Sequence, residues 1–149
     1  MGDCRTSDVE LWNDLSTQFE SIRESVTVRD WMLLHTAGYF LFSKLGMHSL
    51  ALQELEAKIA LEVVAHPKRH YDLVVSLFNY SLFIANCDEK GISYLREMLS
   101  NETLSRRQAQ LRASLCEELL RLRPDLAIPD DLLLAMESEL RKHGIQRMV

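Results

Sequence analysis

The sequence is poor in the residues that break a chain or crosslink it. Its 149 residues include five Gly, three Pro and three Cys. So few turn-forming residues exclude collagen-like and linker-like chains, and they argue against a turn-rich all-β domain. The cysteines, Cys4, Cys87 and Cys116, form no C-x-x-C pair and are odd in number, which favours a reducing compartment. We expect Cys116 in the core and Cys4 as a tail thiol.

The sequence also lacks a hydrophobic run of membrane-spanning length. Its longest apolar stretch, 71–85, is interrupted by Asp72 and Asn79 and is shorter than the roughly 20 residues that cross a bilayer. The N-terminus carries Asp3 and Asp8 and has no apolar signal-peptide region. We therefore expect a cytoplasmic protein without a membrane span.

No catalytic or metal-binding motif is present. The sequence has no glycine-rich phosphate loop, no G-x-S-x-G and no H-E-x-x-H. His66 and His70 have a spacing that can bind a metal from one helix face, but Pro67 lies between them and disrupts a helix. We expect no catalytic residue, no metal and no cofactor, and therefore no enzyme.

The charge is acidic and unevenly distributed. The net charge is −5, and residues 1–62 hold ten Asp and Glu against five Lys and Arg. Five arginines lie on or beside one predicted helix: Arg106, Arg107, Arg112, Arg121 and Arg123. Aromatic residues are not interleaved with these arginines. The pI of about 5.5 also shows that the chain lacks the excess of basic residues typical of a nucleic-acid-binding domain. An acidic regulator associated with nucleic acid is therefore the least favoured alternative.

The chain is rich in apolar residues at helical spacing. Hydrophobic residues make up 47% of the sequence, enough for a sizeable core at this length. Residues 9–26 carry an apolar stripe at intervals of three and four on an otherwise polar helix. The stripe comprises Val9, Trp12, Leu15, Phe19, Ile22 and Val26. Ser7 and Glu10 have the spacing of a capping box at its start. We expect this amphipathic helix to pack against one neighbour only.

Six more helices follow from the same periodicity, and no segment reads as a strand. The predicted helices are 28–45, 49–65, 71–85, 88–101, 104–122 and 129–143. Thr27 and Asp30 can cap the first of them, and Gly46 and Pro67 mark helix ends. Short connections make sequential helices antiparallel, which gives three hairpins. We expect one helical domain over 1–149, with a flexible tail at 1–7 and a frayed C-terminus at 145–149.

Two of these helices, 28–45 and 71–85, are apolar on nearly all sides, which is typical of helices in the middle of a bundle. The predicted core contains five leucines between the hairpins: Leu34, Leu41, Leu52, Leu82 and Leu95.

The first two hairpins share a weak repeat. Ala51, Leu52 and Leu55 match Gly91, Ile92 and Leu95 at an offset of 40 residues. The helix before the first set carries Leu34, Ala37, Gly38 and Leu41. Over residues 28–101 this pattern resembles the tetratricopeptide family, in which small residues let paired helices approach closely. The predicted fold is therefore all-α, with the N-terminal helix and three hairpins in a tetratricopeptide-like stack or, alternatively, in a generic helical bundle.

The resemblance implies that the first helix of each hairpin lines a groove for a helix or extended segment of another protein. Five side chains are predicted to contact this partner: His35, Tyr39, Phe42, Tyr80 and Arg112. Aromatic and arginine residues commonly dominate such interfaces. The expected function is a non-enzymatic adaptor or chaperone, similar to the compact tetratricopeptide-like chaperones of secretion systems. A structural subunit of a larger assembly is the alternative, and self-association stays open.

Overall fold

The computed structural model describes the backbone of residues 4–144 and the side chains of residues 7–144. The predicted frayed C-terminus at 145–149 and the first three residues of the predicted tail lie outside the described residues. Within them the fold is all-α, with seven α-helices and no strand. The helices are α1 (Cys4–Ser21), α2 (Val28–Lys44), α3 (His48–Ala65), α4 (His70–Asn79), α5 (Asp88–Ser100), α6 (Arg106–Leu122) and α7 (Asp130–Lys142).

Local sequence signals explain where several helices begin and end. α2 starts with a capping box between Thr27 and Asp30, as predicted, because each residue satisfies a backbone N–H of the other. Ser105 and Gln108 form a second capping box at the start of α6. Gly46 follows α2 with a φ of +75°, a left-handed conformation that glycine adopts without a steric penalty.

The N-terminal helix is displaced from its predicted position. α1 begins at Cys4 and ends at Ser21, and a 3₁₀ turn over Arg23–Ser25 replaces the predicted last turn. Ser7 therefore lies inside the helix, and the predicted capping box with Glu10 is wrong. Residues 4–7 of the predicted tail are helical because no Gly or Pro lies between Cys4 and Ser7.

The predicted helix 71–85 is also modified. After α4 the chain forms a wider π-helical turn over Tyr80–Ile84, and Asn86 then adopts a φ of +53°. Ser81 fixes this exit: its hydroxyl donates to the Cys87 carbonyl at 3.0 Å, and its own carbonyl accepts from the Cys87 N–H at 2.8 Å. The short connection to α5 is held by these two bonds.

The chain forms two compact units. Unit 1 contains residues 1–73 and 83–85, and unit 2 contains residues 74–82 and 86–149. One boundary falls inside α4, between Leu73 and Val74, and residues 83–85 belong again to unit 1. The expectation of one domain over 1–149 stays a prediction.

The core of unit 1 lies between α2 and α3, with α1 packed on α2. Its buried apolar residues include Leu34, Phe42, Ala51, Leu52, Leu55 and Ile59. Trp12 of α1 donates its indole N–H to the Leu34 carbonyl at 2.9 Å, and its ring meets Phe42 edge-on at 5.2 Å. Phe19 meets Trp31 in the same way at 5.6 Å. These contacts show that α1 and α2 are antiparallel.

In unit 2, α7 packs on α5 and α6. The largest fully buried side chains of this unit are Phe78, Ser81, Leu82, Leu95, Met98, Cys116, Leu119 and Met136. Of the five predicted core leucines, Leu34, Leu52, Leu82 and Leu95 are buried. Leu41 is only half-buried, because it lies at the edge of the α2 surface that packs.

The docking of α1 depends on a glycine. A Cβ atom added to Gly38 would lie 2.8 Å from two ring carbons of Trp12. We expect Gly38→Ala to lower the free energy of unfolding by about 1–3 kcal/mol, as overpacking does, because the indole must leave its hydrogen bond to Leu34. Urea denaturation followed by tryptophan fluorescence measures this. Ala37→Ser, at the adjacent exposed position, is the control, and an equal loss in both variants would contradict the contact.

Candidate protein-binding surface

The predicted binding residues in unit 1 have different environments. His35 is half-buried, with its Nδ1 2.5 Å from Glu54 Oε2 on α3, and it stacks on Trp31 at 6.0 Å between ring centroids. Tyr39 is half-buried and meets Phe40 edge-on at 5.3 Å. Phe42 is buried against Trp12. His35 and Tyr39 therefore retain some surface, whereas Phe42 belongs to the core.

The two predicted residues in unit 2 are held inside the fold. Tyr80 is buried in the π-helical turn. Arg112 donates to the carbonyls of Met98 at 3.2 Å and Asn101 at 2.7 Å, at the end of α5. It also pairs with Glu139 on α7 at 3.1 Å. Burial leaves these side chains little surface to offer, so a partner contact through them stays a prediction that their environment does not favour.

The Arg112 cluster is a structural ion pair. The side chains of Arg112 and Glu139 are both nearly buried, and His143 Nε2 lies 3.4 Å from the same carboxylate. Arg112 thereby connects three helices: α6, on which it lies, the C-terminus of α5, and α7. Its guanidinium replaces the water that would otherwise solvate Glu139 and the two carbonyls.

Cys116 lies near this cluster and is a core residue, as predicted. Burial, and to a smaller extent the negative charge of Glu139, raise the pKa of its thiol to about 12, while Arg112 acts in the opposite direction. Because the thiolate is the reactive form of cysteine, Cys116 is held in its inert protonated form at neutral pH.

Residues 7–144, whose side chains are described, contain no group of three or more His, Cys, Asp or Glu side chains arranged to hold a metal ion. Within the same residues, no helix combines the length and hydropathy needed to cross a bilayer.

The least covered apolar residues of α2 form one row. Leu33 is 59% exposed and Phe40 is 67% exposed, with the exposed Ala37 between them. Their spacing of four and three places them on one helix face. His35 lies on another side of α2, where it contacts Glu54 of α3. Leu34 and Gly38 meet Trp12 of α1. The row therefore lies on the side of α2 that neither neighbour covers.

A second row follows α1. Leu11 and Leu15 share one helix face at a spacing of four, and Ile22 follows directly after α1 ends. The three side chains are 39–61% exposed. The predicted stripe of α1 is thus only partly packed: Trp12 and Phe19 contact α2, while Leu15 and Ile22 face outward. The apolar surface of α1 is wider than the strip that α2 covers.

Both rows lie away from α3, but they point in different directions. On α1, the row is rotated by about 70° from the side of Trp12 and Phe19, and the antiparallel run of the two helices places it away from α3. On α2, Phe40 and Leu33 lie about 160° and 140° around the helix from Gly38, which meets α1, so they also point away from α1. We call this surface, formed by Leu11, Leu15, Ile22, Leu33, Ala37 and Phe40, the α1–α2 face.

The α1–α2 face has charges of opposite sign at one end. Trp12 is level with Gly38 because their atoms meet. Asp8, four residues before Trp12, and Lys44, six residues after Gly38, therefore lie towards the same end, about 6 Å and 9 Å from that level. Both are exposed; Asp8 lies on the side of α1 near Trp12, beside α2, and Lys44 lies on the exposed side of α2.

The sequence indicated this face only in part. The apolar character of helix 28–45 on all sides was interpreted as burial, although it also fits a helix that is covered on two sides and exposed on the third. Leu33 and Phe40 were therefore missed, because only the packing of α1 and α3 shows which side is left uncovered.

Compared with protein-family models, with curated proteins and with solved structures, the chain matches none.

Proposed function

We propose that this protein is a non-enzymatic protein-binding module whose working surface is the α1–α2 face. The observation that carries the proposal is the pair of exposed apolar rows on neighbouring helices. Contiguous apolar surface on a folded protein commonly marks a binding site for another protein. A row of aliphatic and aromatic side chains on a helix suits the apolar face of a partner helix, which packs through residues at intervals of three and four.

The tetratricopeptide-like arrangement is retained as part of this proposal. The packing of α2 on α3, which form the first predicted hairpin, supports it. Such a fold would make the protein an adaptor or a dedicated chaperone acting in the cytoplasm.

The proposal assigns the contact to other residues of α2 than those predicted from the sequence. Tyr39 borders the α1–α2 face through its edge-on contact with Phe40, whereas Leu33 and Phe40 become the expected anchors. Large apolar side chains at the centre of an interface typically contribute about 2 kcal/mol or more each.

The test is partner capture with charged variants of the face. Leu33→Asp and Phe40→Asp are each expected to weaken protein association by about 30-fold, because an anchor worth about 2 kcal/mol is replaced by a desolvated charge. Affinity capture of the full-length protein from its native host, quantified against the wild type, measures the loss. Leu134→Asp, at a 65% exposed position on α7, is the matched control.

Loss of capture in the Leu134 variant with retention in the Leu33 and Phe40 variants would contradict the proposal and place the working surface on α7. Circular dichroism of each variant shows whether the fold is retained, and we expect no change because all three side chains are exposed in the wild type.

A structural subunit of a larger assembly is the second candidate, and the same exposed rows favour it. The two functions differ in the behaviour of the isolated protein. An adaptor is expected to purify as a folded, soluble species, whereas a subunit deprived of its assembly is expected to aggregate through its uncovered apolar surface.

A further inference from the structure

We propose that α1 is a detachable helix, and that the surface it covers on α2 is a second binding site for an amphipathic helix of another protein. The site takes a helix with a tryptophan and a second aromatic residue seven positions later, because Trp12 and Phe19 of α1 fill it with that spacing. This inference goes beyond the α1–α2 face, since it concerns a surface that α1 covers in the structure.

α1 contributes no side chain to the buried core of unit 1. None of the side chains described in α1, those of residues 7–21, is buried, whereas α2 and α3 hold buried residues along their length. The 3₁₀ turn Arg23–Ser25, which connects α1 to α2, has no buried residue either. Segments with few buried apolar contacts open locally at a lower free energy than the core. α1 can therefore leave α2 while the core between α2 and α3 stays folded.

The surface beneath α1 has a notch for an indole ring. Trp31, Leu34, Gly38 and Phe42 lie on one face of α2 at spacings of three and four, and we call them the docking stripe. Gly38 provides the notch between its larger neighbours, because a Cβ atom there would lie 2.8 Å from two ring carbons of Trp12. The docking stripe therefore accepts a large flat side chain at this one level.

The docking stripe also distinguishes tryptophan from phenylalanine. The indole N–H of Trp12 donates to the Leu34 carbonyl at 2.9 Å. A carbonyl oxygen has two lone pairs, so it can accept this bond in addition to a helical one. Phenylalanine has no donor that could replace the indole N–H. Seven residues after Trp12, Phe19 meets Trp31 edge-on at 5.6 Å. A partner helix must offer both rings to replace the contacts of α1.

The residues that α1 covers favour exchange of α1 for another helix over simple opening. Leu34 is 6% exposed and Phe42 is 3% exposed, so undocking of α1 alone transfers apolar surface to water, which is unfavourable. A partner helix with the same two anchors buries this surface again, in the manner of other helices that bind an apolar groove. Until then α1 competes as an intramolecular ligand at high effective concentration, and it keeps the site closed.

Binding of α1 as a separate peptide tests the proposal. The probe is a fluorescein-labelled synthetic peptide of residues 5–22, titrated with the full-length protein and followed by fluorescence anisotropy. The wild type is expected to bind it weakly, because its own α1 covers the docking stripe. Full-length Trp12→Ala is expected to bind it roughly 30-fold more tightly, since loss of an anchor releases the competing helix. Gln18→Ala, at an exposed position of α1, is the matched control and should bind as the wild type does.

Filling the notch tests where the peptide binds. Full-length Trp12→Ala combined with Gly38→Ala is expected to bind the probe roughly ten-fold more weakly than Trp12→Ala alone, because the new methyl group displaces the indole of the peptide. Equal binding of the probe by the wild type and Trp12→Ala, or no detectable binding by either, overturns the proposal. Binding that is indifferent to Gly38→Ala also overturns it, because the peptide would then lie elsewhere.

Hydrogen exchange of the wild-type protein tests the detachment of α1 without any substitution. The amides of α1 are expected to have protection factors roughly 100-fold lower than those of α3, because α1 opens while the core stays closed. Equal protection of the two helices overturns the proposal. Global unfolding of full-length Trp12→Ala, measured by circular dichroism, overturns it as well, since α1 would then belong to the cooperative core.

Discussion

Replacing Arg112 by alanine is expected to lower the free energy of unfolding by about 3–5 kcal/mol, because removal of one partner leaves the buried charge of the other uncompensated. The side chain that would be left is Glu139, which is only 5% exposed. The same substitution removes the donor that the carbonyls of Met98 and Asn101 share. A loss of this size is a large fraction of the stability of an ordinary domain.

Urea denaturation followed by circular dichroism measures this loss. Arg121→Ala, which removes an exposed arginine from the same helix, is expected to change stability by less than about 0.5 kcal/mol. The double variant Arg112→Leu with Glu139→Leu is expected to be more stable than Arg112→Ala, because no charge is then left buried. If Arg112→Ala behaves like Arg121→Ala, the guanidinium does not stabilise the contact between α5, α6 and α7.

Replacing Leu82 by alanine is expected to cost about 2–5 kcal/mol, the range for a large-to-small change at a buried site. Leu82 is fully buried in the π-helical turn. It packs against the start of α5, where a Cβ atom on Gly91 would lie 2.7 Å from Leu82 Cδ1 and 3.0 Å from its Cβ. The backbone of α5 therefore approaches the turn as closely as a residue without a side chain allows.

A double-mutant cycle separates this contact from general loss of packing. Gly91→Ala alone is expected to cost about 1–3 kcal/mol through overpacking. Combined with Leu82→Ala it is expected to cost less than the sum of the two, because the smaller side chain frees space for the new methyl group. Additive costs would show that the two residues do not compete for the same space. Leu134→Ala, at an exposed position, is the control and should have little effect.

The helices could be predicted from the sequence because the spacing of the apolar residues agreed with the residues that mark helix ends. Thr27 and Gly46 bracket α2 in both the sequence and the structure. The π-helical turn at Tyr80–Ile84 could not be predicted, since it depends on Ser81 bonding to Cys87 across the turn. The predicted start of α1 was wrong because the capping pattern at Ser7 was given more weight than the absence of Gly and Pro between Cys4 and Ser7.

The binding surface was only partly predictable, for a different reason. Sequence periodicity assigned α2 correctly but could not show which of its sides the neighbouring helices cover. Arg112 was predicted to bind another protein because arginine is common in interfaces. It instead pairs with Glu139, which lies 27 residues away in the sequence and meets it only in the folded chain. Burial and pairing of this kind are tertiary properties that the spacing of residues does not encode.

Site-specific photocrosslinking tests the central claim most directly. The full-length protein would carry p-benzoylphenylalanine in place of Phe40 and be irradiated in its native host. Because the photoreactive group reacts with whatever protein lies against it, the account predicts a covalent adduct to a second protein chain through position 40. The same group in place of Leu134, an equally exposed residue on α7, should give none. Adducts through position 134 and none through position 40 would contradict the assignment of the α1–α2 face as the binding surface.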